Sequence, residues 1–171
     1  MTSGWDDAMV ASLQEATLSP DPSTQLGAVL LNPRDGEIGR GHNSFTVGID
    51  ESYYLSRDEK YQRICHAEVS AILSAARQGR ATAWSTLVCG WSACSNCAKY
   101  IARAGVVHLV RLKGFRDTFD ADWGDDIAIG DEILTAAGIG ITEIEPPVWY
   151  GTLRMSGQEW TAKREVTSGC R

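Results

Sequence analysis

The chain has 171 residues, 43% of them hydrophobic, and a formal net charge of −6. This length supports one well-cored domain and is too short for two of typical size. The acidic balance, the lack of a Lys/Arg cluster and the lack of a membrane-length apolar run argue against polynucleotide and membrane partners and favour a small-molecule substrate.

The first part of the chain predicts one helix and a β-hairpin. Apolar residues at helical spacing predict a helix over residues 6–18. The segment begins with acidic residues, whereas a signal peptide would be basic and then apolar, so we expect a cytoplasmic protein. A strand at 27–31, a turn at 32–36 and a second strand at 37–42 predict the hairpin. Residues 43–62 show no clear period, so we predict a long loop, which in a compact domain is usually functional.

The rest of the chain alternates predicted helices and strands. They are a helix at 66–78, a strand at 86–90, a helix at 94–104, a strand at 106–112, a helix at 131–137 and a strand at 139–144. This order implies an α/β fold in which helices cover both faces of a mixed five-stranded sheet. We assign residues 1–145 to one domain and 146–171 to a C-terminal extension. The aromatic residues of the extension predict that part of it packs on the domain or at a subunit interface.

Two of these predicted helices begin with residues that can hold a metal ion and move a proton. The first begins with an H-A-E motif, His66 to Glu68, and the second with a C-x-x-C motif, Cys94 to Cys97. Zn²⁺ bound by one histidine and two cysteines keeps a fourth position for water, whose pKa falls to about 7. Helix starts favour the thiolate form of cysteine, and a carboxylate two residues after the histidine is suited to proton transfer. This combination is the signature of zinc-dependent nucleobase deaminases.

The cysteines also suit two other kinds of site. A lone C-x-x-C in a cytosolic protein also suits a redox pair or a structural zinc site, but a structural site normally has a fourth Cys or His ligand. The other two histidines, His42 and His108, lie in predicted strands without matching spacing. Five cysteines is an odd number, which makes a disulfide framework less suitable than metal ligation.

The chain resembles the deoxycytidylate (dCMP) deaminase family of the cytidine-deaminase-like superfamily over about residues 5 to 144. Residues 19–28 are similar to the family's D-P-x-S-x-V-G-A, residues 39–45 to G-x-G-Y-N-G, residues 65–72 to C-H-A-E-x-N-A-I, and residues 94–106 to C-x-x-C-A-K-x-I-x-x-A-G-V. The chain departs from the pattern at Ala93, where the family has proline before the first cysteine. It also departs at His42, Ser44 and Thr46 in the G-x-G-Y-N-G-x-P segment.

The resemblance implies a three-layer α/β/α fold and the hydrolysis of dCMP to dUMP and ammonia in pyrimidine nucleotide metabolism. One catalytic Zn²⁺ per chain would be bound by His66, Cys94 and Cys97, with Glu68 transferring protons. The resemblance further implies four substrate-binding residues: Asn43, Ala67, Ser23 and Arg116. A 5′-phosphate needs a positive partner, for which Arg116 is the first candidate and Arg57, Lys60 and Lys113 are weaker ones.

Several alternatives remain open from the sequence. The substrate could be another aminopyrimidine, such as dCTP, a 5-modified dCMP or a secondary-metabolite nucleoside. A zinc-stabilised binding module without activity is a further alternative, against which Glu68 counts. The resemblance also implies a homo-oligomer, either a hexamer or a dimer, and Mg²⁺ accompanying an allosteric nucleotide in regulated members.

Overall fold

The structure, a computed structural model, describes residues 4–114 and 123–162. Within these ranges the chain forms five α-helices, one short 3-10 helix at Glu51–Leu55 and nine strands. In chain order the α-helices and strands are α1 (Asp6–Ala16), β1 (Gly27–Asn32), β2 (Gly36–His42), β3 (Ser44–Phe45), α2 (Arg57–Arg63), β4 (Ile64–Cys65), α3 (Ala67–Arg77), β5 (Thr86–Cys89), α4 (Ser95–Arg103), β6 (His108–Leu112), α5 (Gly124–Ala136), β7 (Gly140–Ile144), β8 (Leu153–Met155) and β9 (Gln158–Trp160).

One mixed sheet forms the centre of the fold, with its five strands in the order β2-β1-β5-β6-β7. β1 runs antiparallel to both β2 and β5, whereas β6 runs parallel to β5 and β7. The central strands are buried almost throughout, which explains their continuous apolar sequences. The predicted hairpin and the predicted mixed five-stranded sheet are confirmed.

Two glycines allow helices to pack closely on opposite faces of this sheet. A Cβ on Gly41 of β2 would lie 2.3 Å from the backbone nitrogen of Ala71 in α3, and a Cβ on Gly27 of β1 would lie 2.3 Å from the carbonyl oxygen of Ser12 in α1. Gly27 pairs with His42, which is the neighbour of Gly41, so the two glycines face opposite sides of the sheet. Helices α1 and α3 therefore cover opposite faces, and the three-layer α/β/α prediction is confirmed.

The prediction that residues 43–62 form a long loop is wrong, because the segment contains β3, the 3-10 helix and most of α2. The only buried residue of α2 is Lys60, so the helix has no apolar period. It is supported instead by charge: Glu59 and Arg63 form an ion pair one turn apart. Ser56 and Glu59 have the S-x-x-E spacing of a helix start, and this signal could have predicted α2.

Helix α5 also begins earlier than the sequence predicts, at Gly124 rather than at residue 131. The missed first half contains Gly130 in the helix interior, and glycine has a low helix propensity. The structure needs glycine there because a Cβ would lie 2.3 Å from the carbonyl oxygen of Ala93. Close packing against the residue before Cys94 therefore overrides the local preference.

After β7 the chain returns to the core through the β8–β9 hairpin. Leu153 and Met155 are fully buried among the core residues. The hairpin also joins the loop before β1, because the Gln25 backbone N–H donates to the carbonyl oxygen of Arg154 and that of Gly157 donates to the carbonyl oxygen of Ser23. The hydrophobic core thus draws residues from both sides of the predicted boundary at 145. The expectation of a subunit interface in this region stays a prediction.

Among the residues that the structure describes, no helix has both the length and the apolar character needed to cross a membrane.

Candidate active site

Three side chains with metal-binding atoms meet where α3 and α4 begin. His66 is the N-cap residue of α3, Cys94 is the N-cap residue of α4, and Cys97 lies in the first turn of α4. Both sulfur atoms lie 3.5 Å from His66 Nδ1, and the three donor atoms lie within 4.8 Å of one another. Zinc bonds of ordinary length at tetrahedral angles would separate sulfur from nitrogen by about 3.6 Å. The arrangement of the three donors therefore fits Zn²⁺.

The three donor residues differ in how firmly they hold a proton. The hydrogen bond with Cys97, assisted by His66, lowers the pKa of the Cys94 thiol to about 4. The same pairing with Cys94, together with burial, raises the pKa of Cys97. Burial lowers the pKa of His66, but the hydrogen bond to Cys94 and the negative charges of Glu68 and Cys94 outweigh it, so that pKa is raised. Without metal the group thus holds protons that a bound cation would displace.

Glu68, in the first turn of α3, is a buried carboxyl group beside the three donors. Glu68 is only 2% exposed, and its Oε2 atom has no hydrogen-bond partner among the described residues. Burial raises the pKa of Glu68 to about 7, against the opposing influence of His66. A divalent cation at the adjacent donors would lower this pKa, because it favours the charged carboxylate. Glu68 is therefore placed to exchange a proton near neutral pH.

A cleft opens beside these residues. Its walls come from the loop before β1, from α2, from the segment after β5 and from the start of α5. The lining residues include the apolar side chains Leu26, Ile64, Trp91, Trp123 and Ile127 and the polar side chains Asp21, Thr24, Asn43, Lys60, Tyr61 and Ser92, with His66, Glu68 and Cys94 at one end. Trp123 meets both His66 and Tyr61 edge-on, with ring centroids 6.2 and 5.1 Å apart. Most of the exposed surface of the cleft is apolar, although polar side chains are numerous among its lining residues. An apolar surface with polar groups is usual for small-molecule sites.

The predicted substrate residues Asn43 and Ala67 are hydrogen-bonded to each other. The Ala67 backbone N–H donates to Asn43 Oδ1 at 2.9 Å, and Asn43 Nδ2 donates to the Thr24 carbonyl oxygen at 3.2 Å. Asn43 therefore ties the start of α3 to the loop before β1. One N–H of its amide is left for a molecule in the cleft, since the NH₂ group has two donors.

The third predicted residue, Ser23, belongs to a buried ionic cluster. Its hydroxyl donates to Asp21 Oδ1 at 3.1 Å and accepts from Lys60 Nζ at 2.7 Å. Lys60 Nζ also lies 3.0 and 2.8 Å from the two oxygens of Asp21. Lys60 thus has two hydrogen-bond acceptors and an ion-pair partner within its own protein, whereas the sequence indicates it only as a weaker phosphate partner in a predicted loop.

Arg116, the first candidate for the phosphate, lies outside the described residues, so its assignment stays a prediction. Of the weaker candidates, Lys113 is exposed and paired with Glu145 at 3.0 Å. The structure brings together His66, Glu68, Cys94 and Cys97, with Asn43 and Ala67 beside them. Ser23 contacts Lys60, which lines the cleft.

Comparison with known proteins agrees with this site. The profile of the cytidine and deoxycytidylate deaminase zinc-binding region matches residues 4–113. An uncharacterized deaminase from the luxG 3′ region of Aliivibrio fischeri is 32% identical over 72% of this chain and 82% of its own length. The deoxycytidylate deaminase of Mus musculus is 28% identical over 60% of each chain, and that of Enterobacteria phage T2 is 29% identical over 75% of this chain and 69% of its own length.

Solved structures share the fold. The dCMP deaminase of cyanophage S-TIM5, in complex with dCMP and dUMP, has a TM-score of 0.66 at 23% identity and covers 84% of this chain and 99% of its own. The Thermotoga maritima diaminohydroxyphosphoribosylaminopyrimidine deaminase/reductase has a TM-score of 0.57 at 21% identity over 81% of this chain and 36% of its own. At these identities the likeness concerns the architecture.

Proposed function

Because this chain belongs to the cytidine and deoxycytidylate deaminase family, we propose that it hydrolyses the amino group of a deoxycytidine nucleotide, converting dCMP and water to dUMP and ammonia. The observation that carries the proposal is Glu68, a buried carboxyl group with an unpartnered oxygen beside the donors of His66, Cys94 and Cys97. A site that only stabilised the fold would not need this carboxyl group. This argues against the non-catalytic binding module.

The three donors are proposed to hold one Zn²⁺ per chain, which supplies Lewis-acid activation of water at neutral pH when it is bound. Glu68 accepts a proton from the attacking water and delivers it to the ring nitrogen next to the carbon that bears the amine. Glu68 then takes the proton of the hydroxyl group that has added to this carbon and passes it to the amine, so the C–N bond breaks, ammonia leaves and a carbonyl remains. The buried position of Glu68 keeps bulk water away from these transfers.

The residues around the cleft are proposed to select the substrate. The apolar walls formed by Leu26, Trp91 and Trp123 suit a pyrimidine ring. The remaining N–H of Asn43 Nδ2 can donate to the base or the sugar. Arg116 is proposed as the partner of the 5′-phosphate. The similar proteins of Mus musculus and Enterobacteria phage T2 are deoxycytidylate deaminases, which supports the monophosphate as the substrate.

One assay tests the reaction and the substrate together. Wild-type protein with a measured zinc content is incubated with dCMP, CMP, dCTP and deoxycytidine, and loss of the cytosine chromophore is followed by ultraviolet absorption. We expect turnover of dCMP, and loss of turnover with retained zinc in Glu68→Gln. If wild type holds zinc and deaminates none of the four, the proposal is wrong; preferred turnover of dCTP would support the aminopyrimidine alternative.

The phosphate assignment has a separate test. We expect Arg116→Ala to raise KM for dCMP and to leave the activity toward deoxycytidine unchanged. Lys113→Ala, three positions earlier and paired with Glu145, is the matched control and should change neither. Equal effects of Arg116→Ala on both substrates would refute the assignment.

Two further expectations stay predictions. Light scattering would test whether the protein is a homo-oligomer, hexamer or dimer. Activity with added dCTP or dTTP, with and without Mg²⁺, would test the allosteric nucleotide and its Mg²⁺.

A further inference from the structure

The turn that carries Cys94 is held from outside by helix α5. Asp126, in the first turn of α5, uses both carboxylate oxygens on Ser95: Oδ1 accepts from the Ser95 hydroxyl at 2.5 Å, and Oδ2 accepts from the Ser95 backbone N–H at 3.2 Å. Ser95 lies between the two cysteines and begins α4. A two-point contact of this kind fixes the direction in which the backbone leaves Cys94.

The same face of α5 makes a second contact with this turn one helical turn later. Gly130 approaches it so closely that a Cβ would lie 2.3 Å from the carbonyl oxygen of Ala93 and 3.1 Å from the carbonyl carbon of Cys94. Residues 126 and 130 are four apart and therefore lie on one side of the helix. Residues 93–95 are therefore held by the two hydrogen bonds to Asp126 and by the close backbone contact with Gly130.

The local sequence provides less support for this turn than the family pattern does. Ala93 stands where the resemblance places proline, whose ring would fix the φ angle directly before the first cysteine. Alanine leaves that angle free, so the conformation must be fixed by tertiary contacts. The contacts of Asp126 and Gly130 are made at this turn.

We propose that Asp126 is a positioning residue for the metal centre: it fixes Ser95, and through it the sulfurs of Cys94 and Cys97, at the separation from His66 that a tetrahedral ion needs. Asp126 is not among the residues that line the cleft, so the proposed role is one of positioning rather than of substrate binding. The inference rests on the proposed function in one respect, namely that His66, Cys94 and Cys97 bind zinc.

The test measures zinc retention rather than turnover. Full-length protein loaded with one zinc per chain is mixed with a chromogenic chelator, and the rate of zinc release is compared among variants. Loss of a group that orients a metal ligand typically weakens metal binding by about 10- to 100-fold. We therefore expect Asp126→Ala to release zinc faster than wild type by a factor in this range. Asp126→Asn keeps an acceptor for the Ser95 N–H and should release zinc at nearly the wild-type rate.

Two further variants separate positioning from general stability. Asp125 is the exposed residue directly before Asp126, so Asp125→Ala removes the same charge from the same helix turn and should leave zinc release unchanged. Ser95→Ala removes the same side-chain hydrogen bond. The double variant Ser95→Ala with Asp126→Ala should therefore change zinc release by less than the two single effects combined. Melting temperatures with and without zinc are the second readout: a positioning role reduces the increment that zinc produces, whereas a purely structural role lowers both temperatures equally.

The outcomes are distinguishable from failure of the proposed function. If wild type retains no zinc, the proposed metal centre is wrong. If wild type retains zinc and Asp126→Ala releases it at the wild-type rate, or as Asp125→Ala does, the positioning role is refuted. An equal fall in both melting temperatures with an unchanged zinc increment also refutes it.

Discussion

The buried ion pair between Lys60 and Asp21 gives a quantitative prediction about the cleft wall. The side chains are 6% and 0% exposed, and Nζ lies 2.8 Å from Oδ2. Lys60→Met keeps most of the apolar stem but leaves the carboxylate of Asp21 buried without its cation. Removal of one partner from a buried pair costs about 3–5 kcal/mol, because the remaining charge loses its compensation. We therefore expect the free energy of unfolding to fall by about that amount.

The chain contains a matched control for this experiment. Lys113 and Glu145 form an ion pair of similar length, 3.0 Å, but their side chains are 62% and 61% exposed. Exposed pairs contribute about 0–1 kcal/mol, so Lys113→Met should change stability little. Both variants are measured by urea unfolding, with the midpoint and the slope reported separately so that a change in the unfolded state is recognised.

A double variant tests the cause of the effect. Lys60→Met combined with Asp21→Asn removes both charges, and the asparagine oxygen can still accept from the backbone N–H groups of Ser23 and Thr24, as Asp21 Oδ1 does. The double variant should be more stable than Lys60→Met alone. A loss of less than about 1 kcal/mol in Lys60→Met, or a double variant below the single one, would contradict the electrostatic explanation.

Three further changes probe the sheet, the C-terminal hairpin and the cleft. Gly41→Ala should destabilise the fold by about 3 kcal/mol, because its Cβ would lie 2.3 Å from the Ala71 nitrogen, whereas Gly124→Ala, with open space around it, should not; thermal unfolding compares them. Met155→Ala should cost about 2–5 kcal/mol in urea unfolding, because the side chain is 0% exposed; an unchanged midpoint would show that the hairpin is not part of the cooperative fold. Trp123→Leu should raise KM for dCMP and leave the zinc content unchanged, because the ring lines the cleft without donating a ligand; zinc loss would contradict this.

The clustering of the residues proposed for catalysis could be predicted from the sequence, because the proposed chemistry restricts their types and spacings. A histidine at one helix start and two cysteines three apart at another bring their donor atoms together once both helices pack on one sheet. The strands were predictable for a similar reason, since burial on both faces requires continuous apolar runs. By contrast, the partner of Lys60 lies 39 positions away, so no local pattern reveals it.

The sequence pattern does not predict helix α2 or the first half of helix α5, and the two failures have related physical causes. Helix α2 has no apolar stripe and buries the ammonium of Lys60 against Asp21. Helix α5 buries Ile127 and Leu134, but between them it places Gly130 against the backbone of Ala93. Local propensity does not register either contact, because both depend on segments that are distant in the sequence. Such positions, where tertiary contacts override local preference, often lie at functional sites.

These two helices meet at the cleft, where the rings of Tyr61 and Trp123 are 5.1 Å apart. The motif helices α3 and α4 carry the donor atoms and Glu68. Helices α2 and α5 contribute lining residues to the cleft and contact the loop before β1 and the Cys94 turn, respectively. The proposed chemistry and the proposed substrate selection therefore depend largely on different residues. A relative that keeps H-A-E, C-x-x-C, Asp126 and Gly130 but differs in the cleft-lining residues of α2 or α5 should keep zinc-dependent deamination while its preferred substrate changes. The residues of α2 and α5, rather than the motifs, are thus the ones to compare when a substrate is assigned within this family.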